Sequence, residues 1–190
     1  MSQTTPSPAP TTAGVILRLA ALTYDGLLLI AIYFITAAIV GNANLAAAAH
    51  QHAWADIAPA YRHFVLMPSL FLVTWLFYGY FWRKHGQTLG MQTWRLQAMR
   101  EDGTNIGWGL GLARMLAALL LPTLSGTACW LLQGPKAAAA AMLAGFFCNY
   151  LWLYTNPGRL ALHDQLTRTR VWRIAPKPRQ PGKGFSLFGD

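Results

Sequence analysis

Ala13-Gly-Val-Ile-Leu-Arg18-Leu-Ala-Ala-Leu-Thr-Tyr-Asp25-Gly-Leu-Leu-Leu-Ile-Ala-Ile-Tyr-Phe-Ile-Thr-Ala-Ala-Ile-Val40 is an apolar run with one cation near its start and one carboxylate inside it. At 1.5 Å per residue, about 20 apolar residues cross the hydrocarbon of a bilayer, and this run is longer. A carboxylate within such a span costs about 2.5–3.5 kcal/mol on insertion scales. A cost of that size calls for a partner or a purpose, so both fold and function turn on what Asp25 meets.

The composition agrees with a membrane setting. Of 190 residues, 54% are hydrophobic and 11% charged, where soluble domains carry about 25% charge. This excludes an ordinary soluble enzyme and predicts one membrane domain with tails. Residues 1–17 hold no Lys or Arg, so the positive region of a secretory signal is missing and the first run reads as a retained helix. Cys129 and Cys148 lie in apolar runs and read as small hydrophobes, with no disulfide or metal role.

Four spans are predicted, over about 15–40, 64–82, 110–132 and 137–154. Gln133-Gly-Pro-Lys136 separates the last two as a tight helical hairpin. Pro122 is expected to kink the third. With four crossings, Arg18, Arg83, Lys84, Arg95, Arg100, Arg114 and the basic residues from Arg159 to Lys183 share one face, leaving Arg62 and Lys136 on the other. The positive-inside rule then puts both termini in the cytoplasm of a cell inner membrane. Residues 1–12 and 175–190 are expected to be disordered tails. In the loop between, Trp94, Leu96 and Ala98 alternate with Arg95 and Gln97, Glu101-Asp102-Gly103 offers a turn, and Thr169–Ile174 alternates too. These segments are expected to pair as a small sheet. The fold class is all-α: a four-transmembrane-helix bundle with a small cytoplasmic cap.

Three blocks together resemble the RDD family of bacterial integral membrane proteins. They are Arg18-Leu-Ala-Ala-Leu-Thr-Tyr-Asp25, then Gly86-Gln-Thr-Leu-Gly90 with Glu101-Asp102-Gly103, and Leu162-His163-Asp164 with Thr169. The resemblance covers about residues 14–174 and makes Arg18, Asp25 and Asp164 the arginine and aspartates for which the family is named. It departs at Met91, where the family commonly has Lys, and at Arg168, where Gly often precedes the Thr. It implies transport without a settled substrate class.

Arg18 and Asp25 share a helix face but stand about 10 Å apart along the axis, and both side chains lean toward the N-terminus. Arg18 is therefore assigned to Asp164, just beyond the fourth span. Asp25 is expected to find its partner on span three or four, with Asn149 and Arg114 the candidates, or in Thr23, Tyr24, Thr74 or water. Two readings stand. Asp25 is the exchanging carboxylate of a proton-coupled transporter of a cation or small solute, or Arg18, Asp25 and Asp164 are structural ties of a non-transporting scaffold or accessory subunit. Four spans are few for a pore, which favours a homo-oligomer.

His163-Asp164 reads as an interfacial or capping pair before an acid–base pair. His50, His52 and Asp56 read as a solvated outer loop before a metal site. Gly107, Gly109 and Gly111 either admit a close neighbour or loosen the start of span three. No catalytic, cofactor or metal-protease motif stands out, so neither an enzyme nor a cofactor is expected. The basic tail answers first to topology and second to anionic lipid head groups. It lacks the interleaved aromatics of a nucleic-acid binder.

Overall fold

The computed structural model describes residues 11–47 and 58–174. The two expected tails, apart from Thr11 and Thr12, and the His50, His52 and Asp56 loop lie outside the described residues.

The fold is mostly helical. Helix α1 spans Val15–Ala47. Helix α2 spans Pro59–His85, with a π-helical turn at Arg62–Leu66. A short α3, Leu89–Thr93, leads into strand β2, Leu96–Arg100. Helix α4 spans Trp108–Gln133 and α5 Pro135–Leu151, continued by a 3-10 turn at Trp152–Tyr154. A short α6, Leu162–Leu166, leads into β3, Thr169–Arg173. The four long helices are each long and apolar enough to cross a membrane. Their ends follow the chemistry: Pro59 and Pro135 stand at helix starts, where the missing N–H costs nothing. Gly86 ends α2 in the left-handed conformation at φ 67°, and Gly134 turns the α4–α5 hairpin at φ 88°.

The cap is a three-stranded antiparallel sheet in the order β1-β3-β2, β1 being Thr11–Thr12. Leu96 to Arg100 pair with Arg173 to Thr169, as the alternation predicts. Thr11 and Thr12 pair with Arg173 and Trp172, which corrects the tail boundary at residue 12: a free edge of β3 gives this short polar stretch its backbone partners. Both ends of the described chain therefore lie on the same side of the helices.

The chain is built from two like halves. In each, two long helices are followed by a short helix, a turn and a strand. Leu89, Gln92, Arg95 and Arg100 stand in the first half where Leu162, Gln165, Arg168 and Arg173 stand in the second. Arg95 and Arg168 share an uncommon backbone, with φ of 54° and 49°. The β2–β3 register is centred on the Ala98–Val171 pair. Thr12 pairs with the outer edge of β3 as Asn105 bridges to Met99 of β2. A local twofold through the Ala98–Val171 pair thus relates α1 to α4, α2 to α5 and α3 to α6.

The helices do not obey that twofold equally. Helices α4 and α5 pack along their length, and Gly126 and Gly145 allow it. A Cβ on Gly145 would stand 2.5 Å from Ser125 Oγ and 2.7 Å from the Leu121 carbonyl. Helices α2 and α4 also pack, whereas the twofold-related contact between α5 and α1 is all but missing. Of the three glycines flagged at the start of α4, only Gly111 is set against a neighbour: a Cβ there would stand 3.5 Å from Trp82, which is ordinary contact. The buried cluster of Ala13, Ala21, Trp82, Met91, Leu96, Ala98, Ile106 and Val171 joins the sheet to the helices.

Candidate functional site

Asp25 is 2% exposed and bound by the cap. Its Oδ2 accepts from the Thr88 hydroxyl at 2.5 Å and its Oδ1 from the Gly90 N–H at 2.8 Å. Thr88 is the N-cap of α3, and its oxygen also accepts from Met91 N–H. Gly90 is needed for the approach, because a Cβ there would stand 2.2 Å from the Ala21 carbonyl. The Gly86–Gly90 stretch therefore folds back on α1 and fixes Asp25.

This overturns the assignment of Asp25 to spans three and four. Asn149 is buried but spent elsewhere: its Oδ1 accepts from His163 N–H and Nδ1, and its Nδ2 donates to the Ala118 carbonyl. Arg114 turns to Asp164 and Thr169. Thr23 bonds its own helix at Leu19, Tyr24 is exposed, and Thr74 meets Tyr33 at 2.5 Å. Asp25 takes its hydrogen bonds from Thr88 and Gly90 instead. Sequence reasoning missed it because half of the partner is a backbone N–H, which no side-chain type announces; two glycines flanking a Thr were the available sign.

Arg18 pairs with Asp164, as the side-chain directions predict, and Arg114 binds the other oxygen of the same carboxylate. All three are buried, Asp164 completely. Arg18 Nε also donates to the Ala13 carbonyl at 3.0 Å, and Arg114 lies over the Trp82 ring. Asp164 Oδ2 accepts from the Ala161 N–H at the start of α6. Thr169 Oγ1 accepts from Arg114, and Thr167 links it to the His163 carbonyl. Burial alone would raise the Asp164 pKa, and is the largest single influence. Arg114, Arg18 and His163 together outweigh it and hold the carboxyl well below the usual range. Burial pushes the neighbouring His163 down to about 4, with the two guanidiniums adding to it and Asp164 opposing it. Asn149 Oδ1 only accepts, so the neutral imidazole carries its proton on Nδ1. Asp164 thus caps the start of α6, and His163 packs between Asn149 and Asp164.

Above this charged floor lies a cavity of about 730 Å³. Arg18, Asp25, Trp82, Arg114 and His163 line it at the cap end, with Leu96, Ala98 and Val171 of the sheet. Its walls are apolar residues of all four long helices, among them Leu22, Phe71, Leu119 and Leu143, interrupted by the hydroxyls of Tyr33, Thr74, Tyr78 and Tyr150. The Ala98–Val171 pair, through which the twofold passes, thus faces the cavity.

These features define a four-span membrane protein whose cap is tied to its helices by buried arginines and aspartates. A family model described as the RDD family matches residues 12–168. The chain belongs to that family. No curated protein and no solved structure matches the chain.

Proposed function

We propose that this is a transport-type protein of the inner membrane, in which a solute occupies the cavity and Asp25 exchanges a proton as the solute passes. The observation that carries the reading is the cavity itself, which reaches a buried carboxylate and two buried guanidiniums from within the helix bundle. Ionisable groups at such depth mark solute and proton paths, and repeat-built transporters bind between their halves. The Thr88 and Gly90 contacts of Asp25 are the element that changes: releasing them frees the carboxylate to take a proton. The basic residues on the cap side support a cytoplasmic cap with both termini inside. The small number of spans supports assembly with further copies, and the basic tail supports contact with anionic lipid heads. The reading is non-enzymatic.

The test is reconstitution of wild type and Asp25→Asn in vesicles, following internal pH under imposed sodium, potassium and proton gradients. A flux that wild type has and Asp25→Asn lacks supports proton coupling; identical background fluxes remove proton-coupled cation transport. A second reading, a scaffold or accessory subunit, is favoured by one observation. Asp25 and the Arg18–Asp164–Arg114 group each join a long helix to the cap. That reading requires Asp25→Asn to lower the melting temperature in detergent without any flux to lose.

A further inference from the structure

We propose that the cavity takes a single-tailed amphiphile with an anionic oxygen head, a carboxylate or a phosphate, admitted sideways from the bilayer between α1 and α5. This rests on the cavity being the solute site and names the chemical class that fits it.

The walls choose an apolar tail. Leu22, Met115, Leu119, Met142, Leu143 and Phe146 line the cavity, and its volume suits one organic ligand. From Arg18 to Tyr33, both lining residues on α1, the path runs about 22 Å along the helix. A hydrated ion would cross that length with few polar groups to replace its water.

The missing contact gives the way in. The twofold pairs α2·α4 with α5·α1, yet only the first is closely packed. All four helices contribute wall residues, so the loosely packed α1–α5 side is the route assigned to entry from lipid. Leu143, on the α5 wall, is 58% exposed.

The floor chooses the head. Its carboxylates are engaged: both oxygens of Asp25 take hydrogen bonds from the cap, and both oxygens of Asp164 stand in ion-pair contact with a guanidinium, Oδ1 by charge alone and without an aligned hydrogen bond. Two donors remain. Arg18 Nη2 and Trp82 Nε1 are buried and have no acceptor among the described residues, and the two side chains, 6% and 8% exposed, line the cavity. A buried donor left unpaired costs about 1–3 kcal/mol. Arg18, Arg114 and Asp164 together carry one net positive charge, and the floor as a whole carries it once Asp25 holds a proton. An anionic oxygen answers both conditions, whereas an ammonium or a metal ion finds no carboxylate oxygen that is not already held by the cap or by a guanidinium.

The test uses the full chain in a neutral detergent, mixed with oleate, oleoyl lysophosphatidate, oleyl alcohol or oleylamine, and weighed intact by native mass spectrometry. One molecule of either acid per chain is expected, bound about tenfold tighter than the alcohol or the amine. Preference between the two acids identifies the head as carboxylate or phosphate, and either supports the proposal. Ala118→Phe, which fills the tail path, should abolish the adducts. Trp82→Phe removes one head donor, keeps a ring beside Arg114, and should weaken the acids alone. Equal binding of all four, preference for the amine, adducts that survive Ala118→Phe, or a dimer that closes the α1–α5 side and excludes the acids each overturn the proposal. Photocrosslinking of wild type with a diazirine-tailed fatty acid needs no variant. Label on Met115, Leu119, Met142 or Leu143 is expected, and label confined to outward residues such as Leu132 overturns the proposal. Solute flux without acid binding sinks this inference alone. Acid binding without movement of any solute across the vesicle membrane sinks the transport reading and leaves the inference standing.

Discussion

His163 makes the cap sensitive to acid. It is 5% exposed, wedged between Asn149 and Asp164, and folding lowers its pKa from 6.5 to about 4. Between those values the unfolded chain binds a proton that the folded chain refuses, so stability falls as pH falls. Each pH unit in that window removes about 1.4 kcal/mol, and the whole descent about 3 kcal/mol. Asp164 adds little to this slope above about pH 5. Its folded pKa is depressed far below the ordinary carboxyl value, so its contribution is full well above that value and is lost progressively as pH falls from about 5, in wild type and variant alike. The assay is thermal unfolding in detergent from pH 7.5 to 4, for wild type and His163→Gln. Wild type should lose melting temperature steadily below pH 6.5, and the variant should lose that slope whatever its stability at neutral pH. Equal slopes in the two proteins would show that His163 is not the group that titrates.

Other perturbations test the ties. Asp164→Asn leaves two buried guanidiniums without their carboxylate and should cost about 3–5 kcal/mol, read as a large fall in melting temperature; a fall no larger than that of a surface substitution would show that the cluster is not a tie. Gly90→Ala places a methyl 2.2 Å from the Ala21 carbonyl and should lift α3 from α1 at about 1–3 kcal/mol, with faster hydrogen exchange over residues 86–93. Unchanged exchange there would mean that the Asp25 contact is not what holds this loop. Gly145→Val drives α4 and α5 apart at Leu121 and Ser125 and should lower stability by a similar amount.

The sequence carried the spans well because hydropathy over 20 residues is a bulk property that packing details do not disturb. The helices overran the expected ends, α1 by seven residues at its end and α2 by five at its start, where Pro59 begins it upstream of the apolar stretch. The Arg18–Asp164 pair was legible because side-chain direction and the shared membrane face left few alternatives. The β2–β3 pairing was legible from alternation, while β1 was not: Thr11 and Thr12 form a strand only because β3 offers an edge. The partner of Asp25 was hidden because it is a hydroxyl and a backbone N–H placed by a loop. The twofold went unread although Leu, Gln and two Arg recur at equal intervals in residues 89–100 and 162–173. Four matches in so short a stretch gain meaning only once the strands are seen to pair about their centre.

The central claim is that the cavity between the two halves is where this protein meets its solute. The direct measurement is solute movement in vesicles containing wild type or Ala118→Phe, with melting curves taken in parallel to show that both are folded. Filling the cavity should stop movement while the fold persists. Undiminished movement through a folded Ala118→Phe protein would contradict it.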